Sequence, residues 1–469
     1  MSPDTVAAFA ERQIIMMKKF KSSLALVSCS MLLLLGGCSS GAVTVEQQST
    51  TAAERENPTA KQQEQAVSEH LDSIVGEWNL LVMQGDEYYQ LAEDLDSAGS
   101  LDIYVEDGKY KIDYLGKDYG YSEYYGMELK EVAKPKTEGN DAADWYAEFS
   151  RKKAENYFYD IVKLTDDTLK LHIHTTYSYE DSGKTTEESY DNYYIYVRKD
   201  SPDLEQIIFD YRYTNTVTVS TIKELYEAIQ SNTHIILKEG IYNISQLPPE
   251  ERENPNLNYW YDYETDSYIT NDSDTIAVKY VNDLLIEGEK GAAVKICTEE
   301  FSEAPLLFDG CNHISLVNLT LGHEVEPGHC SGAVLSLNNS NSVDVKQCRL
   351  YGSGTYGVEA YGSYAIHVED CRIYECTYGL VSLNSSGDIT FKNCNMNNST
   401  GYNMFYMNSS WNVAFENCAV TDNTSAYEDS PFICSYSGNA AFTNCTFTGN
   451  KYGSLYVGDV VFESCSFSD

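Results

Sequence analysis

The sequence predicts an all-β chain in two parts: a small antiparallel sheet domain, then a long solenoid of stacked parallel strands. Three observations carry this. Six segments near the C-terminus (VDVKQCRL, IHVEDCRI, ITFKNCNM, VAFENCAV, AAFTNCTF and VVFESCSF) share the form apolar, x, apolar, x, x, Cys, x, apolar, and their cysteines, Cys348, Cys371, Cys394, Cys418, Cys445 and Cys465, are spaced by 23, 23, 24, 27 and 20 residues. Eleven residues before the first four stand Leu337, Ala360, Leu383 and Met407, a second column at the same period. Upstream, residues 71–200 alternate polar and apolar side chains in short runs broken by turn residues.

A period in the low twenties with a strand in each copy is the mark of a solenoid in which one turn of coil is one repeat. Stacking places equivalent residues about 4.8 Å apart. The cysteines then point inward with their apolar neighbours, where a thiol packs as a small hydrophobe. Gln347, Asp370, Asn393, Asn417, Asn444 and Ser464 each precede a cysteine, a column suited to a left-handed turn with amide contacts between rungs. Lys346, Glu369, Lys392 and Glu416 form an outward column of alternating charge, which reads as a structural ion-pair ladder.

At the N-terminus, Lys18, Lys19 and Lys21 precede an apolar run that closes on Leu35-Gly36-Gly37-Cys38. This order describes an export signal over residues 1–37, with the true start at Met16 or Met17. Its apolar run is too short for a stable transmembrane span. With Cys at the cut, the chain resembles bacterial lipoproteins. The resemblance implies a diacylated Cys38, membrane lipid as a partner through its acyl chains, and a chain held at the bacterial cell membrane on the extracytoplasmic face. Residues 38–70 are rich in Ser, Thr, Ala, Gln and Glu and read as a disordered tether.

In residues 71–200, strands are expected over 76–83, 100–105, 109–115, 145–150, 157–164, 168–177 and 187–197, with hairpins at Asp107-Gly108 and Ser182-Gly183. Ile74-Val75-Gly76-Glu77-Trp78-Asn79-Leu80 resembles the Gly-x-Trp first strand of lipocalin-like barrels, in which the Trp plugs the closed end. The resemblance implies a small antiparallel barrel, either a ligand holder or a spacer.

The second domain, residues 213–469, opens with a compound signal. Thr221 and Glu224 form a capping box for a helix over 222–230, with Ile222, Leu225, Tyr226 and Ile229 on one face. His234-Ile235-Ile236-Leu237-Lys238-Glu239-Gly240-Ile241-Tyr242 follows. Together these resemble the N-terminal cap and first rung of pectate-lyase-like proteins, which implies a right-handed parallel β-helix whose helix covers the open first coil. The chain stops at Ser466-Phe467-Ser468-Asp469 within a repeat, so either a partner at that last rung or a truncated gene model is expected.

Charge and cysteine use narrow the function. The chain holds 32 basic and 72 acidic residues, a formal net charge of −40. Loss of a leader with four basic and two acidic residues takes the mature chain to −42. Such a surface repels nucleic acid and anionic headgroups. It also weighs against plain capture of polyuronides unless Ca²⁺ bridges the carboxylates, which makes Ca²⁺ the cofactor to consider. Of 13 cysteines, Cys29 lies in the leader and Cys38 is the anchor; the other 11 all lie in the coil. An odd number in inward columns predicts free buried thiols. The 39 tyrosines fit either rings stacking on sugars or Tyr-rich strands packed on one another.

Candidate sites are few. The family's fold hosts lyases, hydrolases, epimerases and non-catalytic surface proteins. Polygalacturonases carry an N-x-D, D-D, G-H-G, R-x-K order, of which Gly328-His329-Cys330 and Arg372-Ile373-Tyr374 match only parts. The insertion Gly322–Cys330 brings His323, Glu326, His329 and Cys330 into one loop, a candidate acid–base set, with His323, His329 and Cys330 as candidate metal ligands. The competing reading is an exposed loop with incidental polar residues. A second candidate is an outward patch of Asp344, Arg349, His367 and Arg372, which also reads as ordinary surface charge. Two functions follow: a surface protein that binds or processes extracellular polysaccharide, or a non-catalytic adhesion or structural module.

Overall fold

The coil dominates the molecule, and three parallel sheets build it. The computed structural model describes residues 72–469, apart from 86–87, 93–94, 96–98, 115–125, 132–144, 152–154, 182–183, 253, 258, 263–266, 271–274, 302–303, 327, 353 and 427–429. Cys38, the leader and the tether therefore lie outside the described residues. So do Ser182 and Gly183.

The first sheet of the coil runs from Asn215–Val219 through Thr233–Leu237, Asn282–Gly288, Asn312–Val317, Asn341–Lys346, Tyr364–Glu369, Gly387–Lys392 and Trp411–Glu416. The second stacks Ile276–Lys279, Leu306–Asp309, Leu335–Asn338, Tyr356–Tyr361, Gly379–Asn384 and Phe405–Asn408. The long strand Pro431–Thr443 joins both, and Ser454–Glu463 pairs along it. The third sheet runs from Gly240–Asn243 to Ser466–Ser468 in short strands such as Arg349–Tyr351 and Arg372–Tyr374. All these pairs are parallel, so the chain passes through the sheets in turn as a right-handed parallel β-helix.

Repeat columns become physical ladders. Leu337, Ala360, Leu383 and Met407 pair in register and are fully buried. Phe391, Phe415 and Phe442 stack inside the coil with ring centroids 4.9 and 4.4 Å apart. Each residue before a repeat cysteine adopts positive φ, from Gln347 at 56° to Ser464 at 55°. The amides there bond between rungs, Asn393 Nδ2 donating to Asp370 Oδ1 at 3.1 Å. The thiols turn inward: Cys371 Sγ donates to the Val345 carbonyl at 3.4 Å. At the corner between the second and first sheets, buried amides are met by hydroxyls of the next rung. Ser340 N donates to Ser363 Oγ at 3.0 Å, and Ser363 N to Ser386 Oγ at 3.1 Å. On the outer face Lys392 pairs with Glu369 at 2.8 Å, within the expected charge ladder.

The capping helix, α2, spans Ile222–Ala228, two residues shorter than expected. Its capping box is present, with Thr221 Oγ1 accepting from Glu224 N at 3.2 Å and Glu224 Oε2 accepting from Thr221 N at 3.2 Å. The early stop has a local cause. Asn254 Nδ2 donates to the carbonyls of Tyr226 and Ile229, at 2.6 and 3.0 Å, and Ile229 turns extended. Leu225 and Tyr226 close the first rung.

The N-terminal part is a strongly curled antiparallel half-barrel. Its strands run, across the sheet, from Met127–Glu128 through Lys109–Tyr114, Ser100–Glu106, Gly76–Gly85, Lys184–Arg198, Thr168–Asp181, Glu155–Lys163 and Trp145–Arg151 to Lys130–Glu131. Among the described residues the two edge strands do not pair, so the barrel expected from the Gly-x-Trp motif is only half made. Asp107 and Gly108 both take positive φ, as the hairpin requires. Trp78 is fully buried, its Nε1 donating to the Ile74 carbonyl at 3.0 Å.

One helix was not expected from the sequence. Helix α1, Leu204–Arg212, lays Leu204, Ile207, Ile208 and Tyr211 on the outer side of the half-barrel beside Leu81, Val82, Ile195 and Val197. Its opposite side meets the coil, where Phe209 contacts His234 edge to face at 5.5 Å. It thus joins the two parts.

Candidate functional site

Alternation along the second sheet sends Leu335, Leu337, Val358, Ala360, Val381 and Leu383 inward. It therefore turns Ser336, Glu359, Ser382, Tyr406 and Cys434 outward as one vertical column. Glu359 is the sole acid in that column. Aromatic rings pave the surface around it. Tyr356 and Tyr378 meet edge to face at 5.5 Å, Tyr378 and Tyr402 at 4.7 Å, and Tyr406 and Tyr436 at 6.2 Å. Two glycines make room. A Cβ at Gly379 would lie 2.4 Å from the Tyr356 ring, and one at Gly387 would lie 2.4 Å from Trp411. Tyr364 and Trp411 meet there with centroids 5.5 Å apart. Tyr361, Tyr364, Tyr378, Tyr402, Trp411 and Tyr436 are all exposed.

The carboxyl of Glu359 meets no cation and no hydrogen-bond donor among the described residues, and burial alone pushes it above the usual carboxylate range. Burial, then the neighbouring Tyr378 and Glu359, drive the Tyr356 hydroxyl upward as well. Burial favours the protonated carboxyl, the form that can donate a hydrogen bond to a sugar oxygen, and rings beside it can stack on sugar faces.

The third sheet carries a second cluster. Lys295 Nζ lies 3.1 Å from Glu324 Oε1, and the Tyr351 hydroxyl donates to the same carboxylate. Desolvation works to raise the Glu324 carboxyl, but these two partners outweigh it and hold it low. Tyr351 stacks on Tyr374 at 5.7 Å, and the Arg372 guanidinium lies 4.0 Å over the Tyr374 ring.

The residues singled out from the sequence are dispersed. In the insertion, His323 and Cys330 are buried, whereas Glu326 and His329 are exposed and 3.9 Å apart. Among the described residues no three His, Cys, Asp or Glu gather closely enough to hold a metal ion, so the set His323, His329 and Cys330 is not assembled. The cause is strand alternation: His323 ends the strand Thr320–His323 on its inward side, in register with buried Thr298. Within the loop, Glu324 is the residue tied to the third sheet, by Lys295 and Tyr351. Asp344 and His367 pair in register on the first sheet, whereas Arg349 and Arg372 pair on the third. The left-handed turns at Gln347 and Asp370 separate the two pairs, so the four do not form one patch.

Sequence reading missed Glu359 and the rings around it. A signal was present: Ser336, Glu359, Ser382 and Tyr406 each immediately precede a member of the Leu337, Ala360, Leu383, Met407 column, so their outward stacking follows from the same period.

No curated protein sequence matches the chain. Among solved structures it is similar to ORF18 of Geobacillus virus E2, at 8% identity over 63% of this chain and 68% of that one, TM-score 0.30. It is also similar to jun a 1, the major allergen from cedar pollen, at 9% identity over 58% and 87%, TM-score 0.30. A third is an alginate lyase from Paenibacillus, at 12% identity over 53% and 99%, TM-score 0.24. At such identities these are likenesses of fold alone. Residues 329–469 match the family model described as the right handed beta helix region, the same residues that form the later rungs of the coil.

Proposed function

We propose that the coil binds extracellular polysaccharide through the aromatic surface that runs from the outer face of its second sheet onto the start of the first, with the Glu359 carboxyl, when protonated, donating to a sugar oxygen. In this reading Cys38 carries the acyl chains that hold the chain on the extracytoplasmic face of the bacterial membrane. The lipocalin-like half-barrel serves as a spacer between tether and coil. The observation that supports binding most directly is the exposed pair Tyr364 and Trp411, meeting at 5.5 Å over Gly387. Exposed ring faces leave apolar surface in contact with water, and a ligand that covers them gains the free energy of burying it.

Affinity electrophoresis of the full chain in gels carrying neutral and acidic glycans tests the reading. Retention on at least one glycan is expected, and Trp411→Ala with Tyr364→Ala should lower it about tenfold, the loss of roughly 1.4 kcal/mol. Retention on no glycan, or unchanged retention in the double variant, would sink it. Product analysis of the same incubations for new reducing ends or unsaturated sugars separates binding from processing. Cys38→Ser should release the chain from membranes of the expressing bacterium.

A further inference from the structure

The third sheet carries a surface of different chemistry from the aromatic face. Its outward column runs Lys295, Thr320, Arg349, Arg372 and Asn395, in register from strand to strand. Lys295 is neutralised by Glu324 at 3.1 Å. Arg349 and Arg372 make no ion pair among the described residues, although the chain holds 72 acidic against 32 basic side chains. Like charges one rung apart, about 4.8 Å, repel each other. Over the whole chain carboxylates outnumber cationic side chains by more than two to one, so two stacked arginines without an acidic partner stand out.

One member of the pair, Arg372, is also held in place. The Arg372 guanidinium lies 4.0 Å over the Tyr374 ring, and its Nε donates to Asn397 Oδ1 at 3.1 Å, which leaves its two terminal nitrogens uncommitted among the described residues. Tyr374 stacks on Tyr351, and Tyr351 is fixed in turn by its hydrogen bond to Glu324. A guanidinium held this way loses little freedom when it takes an oxyanion on two parallel N–H bonds.

We propose that this strip is a second binding site, for an acidic glycan whose carboxylate or sulfate groups fall on Arg349 and Arg372 along the coil axis. Thr320 and Asn395 flank them with neutral hydrogen-bonding groups. A glycan fits better than an acidic peptide. The strands of Arg349–Tyr351 and Arg372–Tyr374 are paired on both sides, so an extended peptide finds no free backbone edge here. A saccharide needs only the side chains. The site uses no residue of the aromatic face.

The test uses the full chain with EDTA present, so that no divalent ion bridges carboxylates. Retention on immobilised polygalacturonate, dextran sulfate, neutral dextran and polyglutamate is compared at about 0.05 and 0.15 M salt. We expect retention on polygalacturonate or dextran sulfate that weakens with salt, and which of the two is held tells carboxylate from sulfate. Arg349→Gln with Arg372→Gln should weaken it about tenfold or more. Arg349→Lys with Arg372→Lys should recover only part, because the charge stays and the fork is lost. Lys346→Gln with Lys392→Gln, the same charge change on the first sheet, should leave retention unchanged. Retention on neither acidic glycan overturns the proposal. So does retention unchanged in the Gln pair while its melting temperature matches the parent, or polyglutamate held as tightly as the glycans.

Discussion

Trp411 reaches over Gly387 to meet Tyr364, two rungs away, with ring centroids 5.5 Å apart. The contact depends on the missing side chain, since a Cβ at Gly387 would sit 2.4 Å from Trp411 Cε2 and 2.6 Å from its Nε1. The indole is a rigid body, but it is 40% exposed and can swing outward. Gly387→Ala should therefore either cost about 1–3 kcal/mol of stability or drive Trp411 off Tyr364 into solvent. Thermal melts and indole emission read the two outcomes. An unchanged melt with unchanged emission would show that the rings are not held by this gap.

Glu359 predicts a dependence of stability on pH. Its folded carboxyl is raised above the ordinary value of 4.5 by burial. The folded state therefore prefers the protonated form, and the contribution is fully present below the unfolded value and is lost as pH rises through the folded one. Glu359→Gln keeps the shape without the charge. At about pH 4 its melting temperature should match the parent; at about pH 7 the variant should be the more stable. Sugar binding at the aromatic face should fall over the same pH window in the parent and stay level in the variant. Parallel stability curves with no gap opening on the alkaline side would refute a Glu359 carboxyl raised by burial.

How much of this was legible in the sequence follows from geometry. A period of about one rung decides which residues stand above which, so the cysteine, Leu337 and Lys346 columns all emerged from counting. The left-handed turns emerged too, because Asn and Asp concentrate where φ must be positive. Counting does not say where the corners of the coil fall. Asp344 and Arg349 are five residues apart with the Gln347 turn between them, and that turn sends them to different sheets. His323 sits on the inward side because its strand begins at Thr320, a register no repeat motif marks. The half-barrel was readable from alternation, but that its edge strands do not pair among the described residues is set by the curl of the sheet. Helix α1 was missed although Leu204, Ile207, Ile208 and Tyr211 lie at helical spacing. Its short amphipathic run sits between two strong strand patterns.

The thiols of the coil should be silent until it unfolds. The described residues hold eleven free cysteines, ten buried and Cys465 half-buried. Contact with Cys348 is the largest cause that pushes the Cys371 thiol up to about 12, and burial pushes Cys311 up to about 11. Neither the thiolate nor access is available to a reagent. Iodoacetamide under native conditions, followed by mass spectrometry, should modify Cys465 well before any other coil cysteine. The remaining ten should react together in denaturant. Native labelling of Cys371 or Cys394 at the rate of Cys465 would contradict the inward column.

The half-barrel should unfold through the loss of one cation–ring contact. The Arg198 guanidinium lies 4.2 Å over the buried Trp78 ring, donates from Nη2 to the Ser73 carbonyl at 2.9 Å, and from Nη1 to the Val75 carbonyl at 3.1 Å. It joins the first and last strands of the pairing Gly76–Gly85 with Lys184–Arg198 to the turn that precedes them. Arg198→Ala removes a ring contact worth about 0.5–2 kcal/mol and two charge-assisted bonds, so a loss of about 2–4 kcal/mol is expected. Trp78→Ala should cost about 3–5 kcal/mol through the cavity it leaves. Because the two side chains touch, the double variant should lose less than the sum of the singles by about 1 kcal/mol. Denaturant unfolding read by the half-barrel's tyrosine and tryptophan signal measures all three, with Trp78→Phe as the variant that keeps a ring. Additive losses would mean that Arg198 acts through its polar partners, the Ser73, Val75 and Asp166 carbonyls among them, and that the ring beneath it is incidental.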